Sequence, residues 1–263
     1  MTAIAQPGVA EFYSSEADAY RRLWAPELLP LSRVLLPGLP LGTAERVLEV
    51  GAGIGALMED IAREAPSADV HGVDLAEGMI RLAPKDRPRA VADARNLPFR
   101  DGTFDVAIAA FILFHIPEPT DGVADMARVL RDGGTVGTVT WGDDTGYPAL
   151  DIWTEELDRS GAEPATALAR HDLVDTQDKV RALLDANGFE GIRTWSGRYV
   201  RPMTPDEFFT MRTSLGSSRY RFMSLPDDVR EECLSRAKRR IESLSTSDLT
   251  DNAEVIYAIA SKA

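Results

Sequence analysis

Val47-Leu48-Glu49-Val50-Gly51-Ala52-Gly53-Ile54-Gly55 is the stretch whose reading decides the fold. A largely apolar run from Arg46 to Val50 feeds a glycine cluster, and Leu57, Ile61 and Ala65 then recur at helical spacing through Ala56 to Glu64. Glycines let the chain turn tightly and let a ligand approach the backbone closely. The next apolar run, Asp69 to Val73, ends at Asp74, nineteen residues after Gly55. A carboxylate at that strand end can accept two hydrogen bonds from a ribose diol. The local reading is therefore strand, glycine turn, helix, strand, with an acidic residue facing the turn.

Outward from this core the alternation continues. Gly78 to Ala83 reads as a short helix and Ala90 to Ala92 as a short strand. Asp101-Gly102 makes a turn before Phe104 to Phe111, a continuous apolar run of the kind buried parallel strands show. Val123, Ala127 and Leu130 share a helix face, which Gly133-Gly134 is expected to end, and Thr135 to Trp141 is the next strand. Such alternation predicts a mostly parallel sheet layered with helices. The second half is more helical. Leu150 to Leu157, Lys179 to Leu184, Pro205 to Leu215 and Asp227 to Leu244 read as helices, with Asn187-Gly188 capping the second of them. Val229, Cys233, Ala237 and Ile241 form an i, i+4 stripe. Ile192 to Val200 and Ala253 to Ala260 read as strands that bracket a helical insertion.

Two ligand classes fit the glycine loop. Gly51, Gly53 and Ala56 satisfy the spacing of a dinucleotide-binding turn. The same geometry serves S-adenosylmethionine, and three features favour it. Asp93-Ala94 follows the third strand, where an acidic side chain can meet the adenine amino group. Met79 is spaced to lie flat on adenine, although a helix-core role serves it equally. Glu49 precedes the glycines, where a pyrophosphate would meet a negative charge.

Composition narrows the partners. The 263 residues carry 29 Lys+Arg against 42 Asp+Glu, a formal net charge of −13. At a pI of about 4.7 the chain repels phosphate at long range, which argues against nucleic acid. The cluster Arg236, Lys238, Arg239, Arg240 is interleaved with Glu231, Glu232 and Glu242 and reads as a solvated helix face. The longest apolar run, Val106 to Phe114, has nine residues, far short of the roughly 20 of a membrane helix. Cys233 is the only cysteine, so neither an intrachain disulfide nor a cysteine zinc site is available. The first basic residue is Arg21, which leaves the N-terminus without the charged start of a signal peptide. A soluble, cytoplasmic protein is expected.

The residues just quoted carry a family resemblance. VLEVGAGIG at 47–55, GVDLAEGM at 72–79, ADARNLPFRDGTFDVAIAAFILFHI at 92–116 and RVLRDGGTVGTVTW at 128–141 resemble the cofactor domain of class I S-adenosylmethionine-dependent methyltransferases. The branch is the small-molecule one that includes the ubiquinone and menaquinone biosynthesis enzymes. The resemblance implies a Rossmann-like, seven-stranded, mostly parallel α/β sheet with helices on both faces, a last antiparallel strand at Ala253 to Ala260, and a helical cap. It implies S-adenosyl-L-methionine as cofactor. Gly51, Ala52 and Gly53 would pass under its methionine part. Asp74 would hold the ribose hydroxyls, with Leu75 and Met79 bordering the adenine and Asp93 and Ala94 reading its edge. Ala110 and Phe111 would offer backbone to the methionine amino group, with His115 just beyond, at the mouth of the site. An N-terminal segment, 1–40, would cover the site, with Tyr20 near the methionine carboxylate. Residues 41–145 would form the cofactor core, and 146–263 the rest of the sheet with a substrate cap at about 146–175 and 203–247. The position after the fourth strand reads Ala109-Ala110-Phe111-Ile112, not the D/N-P-P-Y/F signature of base N-methylation.

The implied chemistry needs little machinery. Methyl transfer from a sulfonium is an in-line displacement, and alignment of this kind supplies about 7–11 kcal/mol. An alcohol acceptor would also need a general base, worth roughly 10²–10⁴ in rate. His115 is the catalytic candidate. His71 lies inside a strand and reads as structural, while His171 sits in the variable half. No metal is expected; the Asp143-Asp144 pair reads as a solvated loop. Trp153, Phe208, Phe209, Met211, Tyr220, Phe222 and Met223 cluster in the cap, either as its core or around a mid-sized acceptor. The expected partners are a small-molecule acceptor and a second copy in a homodimer. The alternatives are a non-methylating S-adenosylmethionine enzyme of the same fold and, behind it, an NAD(P)-dependent oxidoreductase, which would leave Glu49 and Asp93 unexplained and lacks a Tyr-x-x-x-Lys dyad.

Overall fold

Among the described residues two α-helices precede the sheet, α1 (Val9–Leu23) and α2 (Ala25–Arg33), the second opened by Pro26 in its first turn, where a missing N–H costs nothing. The computed structural model describes residues 8–144, 146–164 and 169–263. Residues 1–7 of the expected N-terminal cover, residues 165–168 of the expected cap and the Asp144 side chain lie outside the described residues.

The alternating core follows. It runs β1 (Arg46–Val50), α3 (Ala56–Glu64), β2 (Asp69–Asp74), α4 (Glu77–Ile80), β3 (Arg89–Val91), β4 (Phe104–Ala110), α5 (Pro119–Val129) and β5 (Leu130–Asp144). Then come α6 (Pro148–Arg159), α7 (Gln177–Asp185), β6 (Phe189–Pro202), α8 (Pro205–Ser214), α9 (Gly216–Met223), α10 (Asp227–Ile241) and β7 (Thr250–Lys262). The strands form one seven-stranded sheet in the order β3-β2-β1-β4-β5-β7-β6. The β1–β2, β1–β4, β2–β3 and β4–β5 pairings are parallel. Val47, Leu48, Val106, Ala107, Ile108 and Ala109 are fully buried, as expected of central parallel strands covered on both faces.

Two local expectations are corrected, and one helix is added. The helix before β5 ends at Val129, not at Gly133-Gly134. Leu130 is already extended (φ −73, ψ 139) and faces Phe104. Val106 then faces Thr135, so 131–134 bulge out of the ladder, with Gly133 at φ 71. The glycine pair thus serves a bulge, one use of left-handed glycine in sheets. The helix after β2 covers Glu77–Ile80, shorter and earlier than the expected 78–83. Helix α9 had no sequence signal: its Gly216-Ser217-Ser218 start carries no apolar periodicity.

The chain divides into two compact units. The sheet unit takes Met1–Asp143, Ala169–Gly197 and Val255–Ala263; the helical unit takes Asp144–Leu168 and Arg198–Glu254. The helical unit has its own core. Trp153, Phe208, Phe209 and Phe222 pack with Cys233, Ala237 and Ile241 of the α10 stripe. Trp153 meets the rings of Phe222 and Phe209 at 5.4 and 5.8 Å. Most of the aromatic cluster is therefore core. Tyr220 is half-buried, its hydroxyl donating to Glu163, and Met223 is exposed.

The basic cluster of α10 is exposed at Lys238, Arg239 and Arg240, as expected, but two of its arginines also serve a buried partner. Arg236 Nε and Arg240 Nη1 each donate to Glu156, at 2.8 Å, and that carboxylate is 1% exposed. The two guanidiniums hold Glu156 below the ordinary carboxylate range against the pull of burial, the largest single influence on it. Among the described residues no helix is long and apolar enough to cross a membrane.

Candidate active site

The strand order reverses at β1, with β2 on one side and β4 on the other. Ligands of open α/β sheets bind beyond the carboxyl ends of the strands at such a switch point. The glycine loop leaves β1 at this place. Gly51, Gly53 and Gly55 all take positive φ (73, 55 and 72). At Gly51 the space is taken as well, since a Cβ there would collide with the Ile112 side chain. The loop and the segment after β4 are thus fitted to each other, and only glycine satisfies both demands at position 51.

Asp74 ties the loop down. Its Oδ2 accepts from the Gly53 N–H at 2.8 Å and its Oδ1 from the Ala76 N–H at 2.8 Å. Burial pushes this carboxyl up, and the two N–H groups pull it back. A carboxylate offers about four acceptor positions, so two remain for a diol. Glu49 lies two residues before Gly51, 4% exposed, and its Oε2 is buried without a hydrogen-bond partner among the described residues. Burial, then the charges of Asp74 and Asp60, push it well above the ordinary carboxylate range. Asp60 itself pairs with Arg33 and Arg63.

Helix α1 covers this end of the sheet unit. Ala17 packs with Ala76 and Met79, flanked by Tyr13, Tyr20, Ile54 and Leu82. The Gly78 N–H donates to Ser14 Oγ at 3.1 Å, and a Cβ at Gly78 would collide with the Ser14 backbone. The Tyr20 phenol is pushed up by burial first, then by Tyr13, Asp74 and Glu49. Tyr20 therefore stands within the field of both acidic groups. Tyr13 reaches further, its hydroxyl 2.8 Å from His115 Nε2.

The end of β4 is strained. Phe111 has φ 57, the one non-glycine with positive φ among the described residues. For an aromatic side chain that conformation costs roughly 1–3 kcal/mol and is characteristic of functional sites. Its N–H donates to Val139 O at 2.7 Å and its ring packs on Trp141 at 4.8 Å.

Each expected site residue can now be placed. Gly51, Ala52, Gly53, Asp74, Tyr20 and Met79 come together around the loop, with Met79 buried beneath α1. Leu75 is 44% exposed at the end of β2. Ala110 ends β4, and Phe111 and His115 follow. Asp93 is engaged by its own neighbour: Arg95 donates to both of its oxygens, Nη2 at 2.6 Å, and holds the carboxyl below its ordinary range. Ala94 is half-buried beside it. His71 packs edge-on against Phe99 and Phe104 inside the sheet, a structural position. His171 stacks on Phe114 at 4.3 Å, one residue from His115. Among the described residues no group of three or more His, Cys, Asp and Glu side chains could hold a metal ion. Sequence reading missed Tyr13, whose partner is 102 positions away. It used Glu49 only to exclude pyrophosphate.

The donor set has a definite chemistry. Two acidic groups stand at this end of β1 and β2, Asp74 with spare acceptor positions and Glu49 with a buried oxygen that has no hydrogen-bond partner among the described residues. The charges acting on Glu49 are both acidic. A ligand carrying a diol and a positive charge complements this set, and a pyrophosphate does not.

The fold and the loop define an open Rossmann-like nucleotide-type α/β unit. Residues 48–137 match the family model described as a methyltransferase domain. The chain is 35% identical over 156 residues to malonyl-[acyl-carrier protein] O-methyltransferase of Geobacter sulfurreducens, covering 57% of each chain. It is 30% identical over 172 residues to demethylmenaquinone methyltransferase of Paenarthrobacter aurescens, covering 62% of this chain and 61% of that one. The chain thus spans less than two thirds of the length of these curated relatives. The fold is shared with Haemonchus contortus phosphoethanolamine N-methyltransferase 2, solved with phosphomonomethylethanolamine and S-adenosylhomocysteine. That match has a TM-score of 0.61 at 19% identity, covering 98% of this chain and 60% of that one. The resemblance drawn from the sequence is borne out over residues 48–137, and the sheet has the seven strands it implied.

Proposed function

We propose that the protein is an S-adenosylmethionine-dependent methyltransferase acting on a small molecule. The observation that carries the reading is the pair of acidic side chains at the glycine loop: Asp74 with open acceptor positions, and Glu49 with a buried Oε2 that has no hydrogen-bond partner among the described residues. The match of residues 48–137 to a methyltransferase domain supports it, as do relatives named for methylating a carrier-bound malonyl group and demethylmenaquinone.

In this reading Asp74 holds the ribose hydroxyls and Glu49 balances the positive charge at the methionine end. Gly51, Ala52 and Gly53 let the backbone lie close beneath it, and α1 with Tyr20 excludes water from above. When bound, S-adenosylmethionine supplies a methyl group on positive sulfur. The chain has then mainly to align the acceptor. His115, beyond the strained end of β4, is the group placed to hydrogen-bond an acceptor and orient it toward the methyl group.

Titration calorimetry tests the reading. The purified protein is expected to bind S-adenosylhomocysteine and to give no heat with NAD or NADP. Binding of NAD with no response to millimolar S-adenosylhomocysteine would overturn it.

A further inference from the structure

Tyr13 comes from the first described helix and His115 from the loop after the fourth strand, yet the Tyr13 hydroxyl lies 2.8 Å from His115 Nε2. The rings meet edge-on at 5.1 Å. Each is held from behind, Tyr13 by Phe12 at 5.5 Å and Tyr20 at 6.1 Å, and His115 by Phe114 at 4.4 Å. The neighbour of Tyr13, Ser14, is seated on Gly78 with no room for a Cβ between them. The depth to which α1 sinks at this point is therefore fixed by backbone contact. Tyr13 arrives at His115 as a consequence.

We propose that Tyr13 is a positioning residue that selects the tautomer of His115, donating its hydroxyl proton to Nε2 and leaving the ring proton on Nδ1. The inference rests on the reading of the site given above. A neutral imidazole has one donor and one acceptor nitrogen, and the bond made at one fixes the role of the other. The phenol stays protonated: burial raises it, and the charges of Glu16 and Asp74 raise it further. Its single proton then needs an acceptor, and Nε2 is within reach. A free imidazole prefers the proton on Nε2, so the pair imposes the less common form. It also stops the ring from turning. With Nε2 engaged, His115 presents Nδ1–H, a donor that orients an acceptor by hydrogen-bonding to it, and α1 supplies that definition from the far end of the sequence.

Nitrogen-15 NMR of histidine-labelled protein reads this without any acceptor, with signals assigned by loss in His115→Gln. In the wild type at pH 8 His115 is expected as the Nδ1–H tautomer. In Tyr13→Phe, which keeps the ring packing, it should revert to mainly Nε2–H. A tautomer unchanged by Tyr13→Phe, or a ring protonated on both nitrogens at pH 8, overturns the proposal. Affinity for S-adenosylhomocysteine should stay within about threefold in Tyr13→Phe; a loss beyond tenfold would make Tyr13 a cofactor contact instead, also overturning it. If the wild type binds no S-adenosylhomocysteine yet shows the tautomer switch, the cofactor reading fails and the Tyr13–His115 pair stands.

Discussion

Glu49 and Glu156 are both buried glutamates, one in each unit, and they sit under opposite conditions. Glu156 receives two guanidiniums and is held below its ordinary range. Glu49 has a buried oxygen without a hydrogen-bond partner among the described residues, feels two further negative charges and is pushed well above its range. A buried charge that the protein itself balances belongs to the architecture. One that it leaves unbalanced marks a place where something else brings the counter-charge, because an uncompensated buried ion costs several kcal/mol.

The largest effect expected from this contrast lies in the helical unit. Glu156→Ala removes the acceptor shared by Arg236 and Arg240 and should cost about 3 kcal/mol of stability, the lower end of the range because Arg240 can turn to water. Denaturant midpoints read this. Affinity for S-adenosylhomocysteine should not change. A loss under about 1 kcal/mol would mean the pair is ornamental and would break the contrast.

Next comes Asp74. Losing hydrogen bonds to a charged group costs roughly 1.5–3 kcal/mol, on the order of 10- to 150-fold in S-adenosylhomocysteine affinity for Asp74→Ala. The structure adds a second consequence: the Gly53 and Ala76 N–H groups lose their acceptor. Asp74→Asn keeps one acceptor oxygen and should be milder. Calorimetry showing Asp74→Ala within twofold of wild type, with circular dichroism unchanged, would put the ligand elsewhere.

The smallest effect sharpens the comparison most. Because the Glu49 carboxyl is raised in the folded state, the folded protein binds its proton more tightly than the unfolded chain. Its contribution to stability is complete below the unfolded value and is lost as pH rises through the raised value. Glu49→Gln should therefore stabilise the ligand-free protein at pH 8 by on the order of 1 kcal/mol, and by nothing at pH 4, while weakening S-adenosylhomocysteine binding. Glu156 has the reverse sign: its contribution is present above the unfolded value and lost as pH falls through the lowered one. Equal gains from Glu49→Gln at both pH values would show that charge is not the cause.

What was legible in the sequence was local. The glycine loop, Asp74 and the strand alternation are written in spacings of a few residues, so periodicity and turn chemistry found β1 to β4 within a residue or two, while β5, β6 and β7 run two to five residues beyond the expected ends. The bulge at Gly133 was mistaken for a helix stop because a left-handed glycine serves both. Distant pairings left no such trace. Arg236 and Arg240 sit among acidic residues and read as a wet face, while their partner Glu156 lies 80 and 84 positions upstream. Tyr13 and His115 are likewise joined only by the fold. The strain at Phe111 had no composition cue at all, since nothing in Ala110-Phe111-Ile112 asks for positive φ.

Strand β7 lies between β5 and β6 although it follows both in the chain. As the protein emerges from a ribosome, β1 to β5 can pair in turn, but β6 has no neighbour in the sheet until Thr250–Lys262 is made. Throughout synthesis of the helical segment 203–249 the outer edge of β5 and the whole of β6 stand open, and open strand edges are what chaperones shield and aggregates recruit. The nascent chain is therefore most vulnerable late in translation.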